Sequence, residues 1–187
     1  MQNPSCGSKE EQPGDLAGIS EGHVAFGMAA FRIVPERSVV SIAASSSLHP
    51  INGEARGLEG ELDLATGLRG RIELPVANLR SGNPLYDVEM HRRIEARRYP
   101  TIVGEVVSST QLSDSRWRLV GDLTFHGVTR QVEGEVLVQT PDPGTVVIEG
   151  EHVFDVRDFG VRPPRIGLLR VHPDVRVTIR VEAERIA

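Results

Sequence analysis

The residues of this chain with chemistry to offer are few and scattered. His49, His91, His126, His152 and His172 are metal ligands by type, yet no two of them sit four apart on one helix and no acidic partner completes a motif. No metal centre and no cofactor are expected. Cys6 is the only cysteine, which excludes an internal disulfide and a cysteine-based zinc site; its polar surroundings mark it as an exposed thiol. Neither a phosphate loop nor a dinucleotide fingerprint is present, so nucleotide chemistry has no support. Arg92, Arg93, Arg97 and Arg98 would suit a phosphate head group, or form the solvated end of a helix. Arg157 and Asp158 suit an ion pair that pins a loop, in preference to catalysis. His126 falls in a short connection and reads as a residue that fixes a turn. His152 stands in an apolar row with Val146, Ile148, Gly150, Phe154 and Val156. There it is either a buried, hydrogen-bonded histidine or a group that polarises a bound molecule.

The elements that position these residues are mostly strands. Trp117, Leu119, Gly121, Leu123 and Phe125 take alternate places, as do Val132, Gly134, Val136 and Val138, and a short segment containing Gly127 joins the two runs. This is the pattern of an antiparallel hairpin with one apolar and one wet face. Similar alternation marks Val40 to Ala44, Leu58 to Leu64, Ile72 to Val76, 101–110, 145–156 and a last strand through Val175, Val177, Ile179, Val181 and Ala183. Residues 51–57 read as a loop, and so does the stretch through Pro163-Pro164. One segment breaks the period. Asn83 and Pro84 suit a helix start, Tyr86, Met90 and Ile94 recur every four residues, and Pro100 ends it. A single helix over about 84–98 is predicted.

About eight strands in sequential, hairpin-like succession exclude a parallel α/β fold. Closing such a sheet removes its exposed edges, so the expected fold is all-β, an antiparallel barrel. Residues 1–22, rich in Gly, Pro, Ser and charge, are expected to be a flexible tail, with one domain over 23–187. Gly60, Gly104, Gly121, Gly134 and Gly150 each fall on the inward face of a different strand. They either let strands bend for closure or leave a channel clear for a long, thin guest. With 187 residues the chain is long enough to bury a core, and its net charge of −5 and 4% aromatic content argue against nucleic-acid binding. No stretch reaches the roughly 18–20 apolar residues that cross a bilayer. The start lacks a secretion pattern, so a cytoplasmic location is expected; a removed leader would make it periplasmic or secreted.

The stretch GDLTFHGVTRQVEGEV, with RRYPTIVGEV before it and FDVRDFGV after it, resembles the YceI-like family over roughly Phe31 to Ala187. The residues that carry the likeness are Tyr99 to Ile102, Gly121 to Arg130, and Arg157 to Gly160. The resemblance implies a lipocalin-like barrel with a helix lying against it, and binding of a long apolar chain, a polyisoprenoid or fatty-acid derivative, inside. It also implies the possibility of a homodimer. In the helix region Tyr86-Asp87 and Met90-His91 stand where the family usually carries Arg-Asp and His-Leu, and Val103-Gly104 replaces the phenylalanine expected after the Tyr-Pro element.

The inward-facing residues that would line such a site are Leu62, Ile72 and Leu74 on the early strands, Trp117, Leu119, Leu123 and Val136 on the central hairpin, and Ile148, His152, Phe154, Val177 and Ile179 on the last two strands. Each buried methylene contributes about 0.8 kcal/mol. Set against the cost of ordering the chain, micromolar binding then calls for some ~15 or more carbons. The expected function is therefore binding or carriage of an isoprenoid or acyl lipid, with no catalytic residue. Two rivals share the architecture: an enzyme such as a cyclase or isomerase using His152 in the same cavity, and a structural or stress-related protein with a filled core.

Overall fold

A computed structural model describes residues 30–163, 165–166 and 169–186, and for 165, 166 and 169 the backbone alone. The tail expected over 1–22, with Cys6, lies outside the described residues. The strands are β1 (Ala30–Ile33), β2 (Val39–Ser46), β3 (Ile51–Ala55), β4 (Glu59–Asp63), β5 (Arg69–Pro75), β6 (Thr101–Gln111), β7 (Arg116–Phe125), β8 (Val128–Asp142), β9 (Thr145–Asp155), β10 (Arg165–Ile166) and β11 (Leu169–Arg185), with helix α1 (Pro84–Arg93) between β5 and β6.

All of the neighbouring pairs are antiparallel, and β1 pairs with both β4 and β11, which closes the sheet on itself. Two of the barrel strands are broken. The turn Pro35–Arg37 separates β1 from β2, since proline has no N–H to give the ladder. Arg56-Gly57-Leu58 separates β3 from β4, with Gly57 at φ 77°. Counting β1 with β2 and β3 with β4, and adding β5, β6, β7, β8, β9 and β11, gives a closed barrel of eight strands. Ser38 is wholly buried at the first break. Its hydroxyl donates to the Glu182 carbonyl and accepts from the Glu182 N–H at 3.0 Å, tying the broken strand to β11.

Residues 51–55, expected to be loop, form β3, paired along β2 from Ala44↔Ile51 to Val40↔Ala55. Their sequence Ile-Asn-Gly-Glu-Ala carries little strand propensity, and the register with β2 overrides it. The helix is shorter than its periodicity predicts. It ends at Arg93, and Glu95 takes a left-handed φ of 48° that carries the chain away from the axis.

Side chains along each strand alternate between the inside and an outer face dressed with ion pairs such as Arg176–Glu151 and Arg118–Glu133. Inside, packing is graded. At the end of the barrel away from α1, Phe31, Ile33, Val146, Val181 and Ala183 are all at most 4% exposed and make a solid floor. Toward α1 the inward residues of β9 and β11, among them His152, Phe154, Val175 and Val177, are only half-buried. The interior is hollow there.

Candidate ligand-binding site

The hollow is a single apolar cavity of about 570 Å³ that runs from the floor to the α1 end. Its size falls within the range typical of small-molecule sites, roughly 300–1,000 Å³. Every predicted liner faces it except Trp117. Trp117 lies opposite Val136 near the start of β7 and packs against the core without bordering the hollow. The sequence could not separate the two roles, because strand alternation gives the face of the sheet and not the height along the barrel.

The glycine row turns out to serve both of its possible purposes, at different positions. At Gly60 (φ 147°) a Cβ would meet the Arg71 carbonyl oxygen at 2.1 Å, and at Gly121 it would meet the Glu105 carbonyl oxygen at 2.6 Å. There the missing side chain lets backbone approach backbone where the sheet coils. At Gly104 and Gly150 a Cβ would press on Ile72 and Val136 side chains, at 3.0 and 2.9 Å. Gly134 differs: within 4 Å a Cβ would find only the His152 ring, 3.8 Å away. That glycine leaves lumen empty.

The mouth is partly roofed by α1. Tyr86, Met90 and Ile94, the periodic face seen in the sequence, all border the cavity, while Leu85 and Val88 face out at 78% and 69% exposed. The Asn83 side chain caps the helix through the Leu85 N–H at 3.0 Å. Asp87 accepts from the Ser81 hydroxyl and N–H, at 2.7 and 2.6 Å, and these bonds hold its carboxyl below the ordinary range. His91 Nε2 meets the Leu79 carbonyl at 3.1 Å. No α1 residue is fully buried, so the helix is a strap across the opening, held by polar ties.

The arginine run does not converge on a head-group site. Arg92 and Arg93 both clasp Glu89, at 2.8 and 2.6 Å, and Arg98 pairs with Glu95 at 3.4 Å. Of the run only Arg93 borders the cavity, and its charge is already answered. The hydrogen bond from Arg92, reinforced by Arg93, pushes the Glu89 carboxyl from its ordinary 4.5 down to about 2.

Several residues of the stretches that resemble the family gather at this same end and hold its turns together. His126 (φ 51°) and Gly127 (φ 75°) make a two-residue turn with both φ positive, the type I′ geometry that suits a hairpin. His126 Nδ1 donates to the Phe159 carbonyl at 3.0 Å. The His126 ring meets Tyr99 edge-on at 4.8 Å, and its Nε2 stands 3.6 Å from the Glu95 carboxylate. Arg157 pairs with Asp155, at 2.5 Å, and not with Asp158 as the sequence suggested. Its chain folds back along the start of the turn Val156–Phe159, where Asp155 also accepts from the Arg157 N–H. Asp158 contributes its carbonyl to Arg130 at 3.1 Å. His126, Arg130, Arg157 and Asp158 are therefore a bracket that ties the α1 end together, while Ile102, Gly121, Leu123, Phe125 and Phe159 of the same stretches border the cavity.

His152 has its ring beside Phe154, centroids 4.6 Å apart. One of the two sequence readings is a hydrogen-bonded histidine, but among the described residues its ring nitrogens have no hydrogen-bond partner, and the acid groups flanking its level, Glu135 and Glu151, are turned outward to Arg118 and Arg176.

A family model described as a YceI-like domain matches residues 31–183. Among solved structures, the chain is similar to BcnA of Burkholderia cenocepacia, with a TM-score of 0.71 at 16% identity over 80% of this chain and 98% of that one. It is equally similar to a polyisoprenoid binding domain from Saccharophagus degradans implicated in plant cell wall breakdown, with a TM-score of 0.71 at 13% identity over 84% of this chain and 99% of that one. The YCEI protein of Campylobacter jejuni gives 0.65 at 15% identity over 73% and 86%. No protein of curated function matches the sequence.

Proposed function

The chain belongs to the YceI-like family, and from that premise we propose that its barrel binds and carries a long-chain isoprenoid or acyl lipid without altering it. The observation that carries this reading is the hollow of about 570 Å³ bordered by Leu62, Ile72, Ile148 and Ile179 inside a closed wall. An apolar space of this size offers dispersion contacts to a guest, and a flexible chain can follow it from the floor to the α1 end. The polyisoprenoid binding domain among the structural neighbours supports the same class of ligand.

The test is solvent extraction of the purified protein followed by mass spectrometry, with reloading of the stripped protein by geranylgeraniol and by hexadecanoic acid. A co-extracted chain, or uptake of one lipid per barrel, is the expected result. A clean extract together with no uptake of either probe would overturn the reading.

A further inference from the structure

We infer that the lumen selects a chain bearing one neutral oxygen group, a hydroxyl or a carbonyl, which the His152 ring holds inside the barrel; the inference rests on the lipid-binding reading above. Four observations meet at this ring. His152 lines the cavity, and in its row of β9 the other inward residues, Val146, Ile148, Gly150 and Phe154, are all apolar or glycine. Among the described residues no protein group takes up its ring nitrogens. Across from it Gly134 offers no side chain, and a Cβ built there would stand 3.8 Å from Nδ1 with nothing else inside 4 Å. Space for a ligand atom therefore lies directly against a ring nitrogen. Finally, the β8–β9 ladder runs from Asp142↔Thr145 to Val136↔Gly150 and stops there, although β8 reaches back to Val128 and β9 continues to Asp155. His152 enters the wall just past the point where main-chain pairing between those strands ends.

The chemistry follows from what an imidazole can do. In its neutral form one ring nitrogen donates and the other accepts, so it can serve a carbonyl or a hydroxyl. A purely hydrocarbon guest would seal the ring away from water with no partner, which is unfavourable. A diphosphate would need cations at this level. Of the three arginines that border the cavity, Arg93 is held by Glu89, Arg80 donates to the Ala77 and Leu79 carbonyls, and Arg162 is exposed to solvent. The group recognised is polar and uncharged.

The experiment compares three probes on the delipidated full-length protein: geranylgeraniol, the same polyene without its hydroxyl, and geranylgeranyl diphosphate. Displacement of a fluorescent apolar probe gives each affinity. The wild type is expected to prefer the alcohol over the hydrocarbon by about tenfold, the worth of one hydrogen bond that would otherwise go unmade. His152→Phe should erase that preference, with the hydrocarbon binding tighter than to wild type because no unpartnered ring is sealed away, and His152→Gln should restore part of it. Labelling the imidazole with ¹⁵N gives a second readout that needs no variant: the ring resonances should shift with the alcohol and not with the hydrocarbon. Equal wild-type affinities, a preference that survives in His152→Phe, tightest binding of the diphosphate, or an indifferent ring spectrum would each overturn the inference. Binding of both neutral probes without discrimination would leave the lipid-binding reading standing, whereas binding of none, with hexadecanoic acid also refused and a clean extract, would remove both.

Discussion

At the scale of single residues, the glycines of the barrel are the most instructive, because one residue type does opposite things at neighbouring positions. Gly121 is hemmed by backbone, with the Glu105 carbonyl oxygen 2.6 Å from a Cβ, whereas Gly134 faces open lumen. Gly121→Ala must push two strands apart, and overpacking of this kind costs about 1–3 kcal/mol. Gly134→Ala meets only an ordinary contact and removes a flexible residue from a strand, a gain of roughly 0.5–1 kcal/mol. Urea midpoints should therefore fall for the first and hold or rise for the second. A fall for both would mean that both glycines serve bending alone. The sequence already placed both on the inward face by alternation, but two inward glycines look identical in a string of letters. What tells them apart is how closely the neighbouring strand approaches, and that is fixed by the coil of the whole sheet.

At the scale of elements, α1 shows how much of a site can be read from period and how much cannot. Tyr86, Met90 and Ile94 at four-residue spacing did mark the face that borders the cavity. The helix stop was misplaced because no residue over 94–98 forbids helix; Glu95 leaves it through a left-handed φ of 48°, and its carboxylate stands near His126, a contact between segments far apart in sequence. The arginines, likewise, could not be known to be answered until Glu89 was seen between two of them. That arrangement makes a prediction about pH. The folded Glu89 carboxyl titrates near 2, below its ordinary 4.5, because Arg92 and Arg93 favour its charged form. A depressed folded value contributes stability that is complete above the ordinary value and is lost as pH falls through the folded one. The destabilisation caused by Glu89→Gln should accordingly be constant above about pH 5, shrink as pH falls, and vanish only below about pH 2. Thermal melts of both proteins across that range check it. A difference independent of pH would show that the ion pairs contribute nothing to holding the strap.

At the scale of the whole molecule, the barrel is a container with one packed end. Phe31, Ile33, Val146, Val181 and Ala183 fill the floor, so a guest cannot thread through and its length must be absorbed between that floor and the α1 mouth. Within the hollow each further methylene removes apolar surface from water, worth about 0.8 kcal/mol or close to fourfold in affinity. Past the length at which the cavity of about 570 Å³ is full, added carbons lie in solvent and give nothing. A series of saturated alcohols of rising length should therefore raise the melting temperature steeply at first, since a ligand at 100 times its Kd stabilises by about 2.7 kcal/mol, and then level off. The break point measures the usable depth of the barrel. Widening the floor with Phe31→Ala should move that break to longer chains even though the variant itself melts lower, by about 3–5 kcal/mol of lost core. Affinity that rises without limit would mean that the chain lies along the outside of the barrel, and affinity indifferent to length would mean that the head group alone is bound.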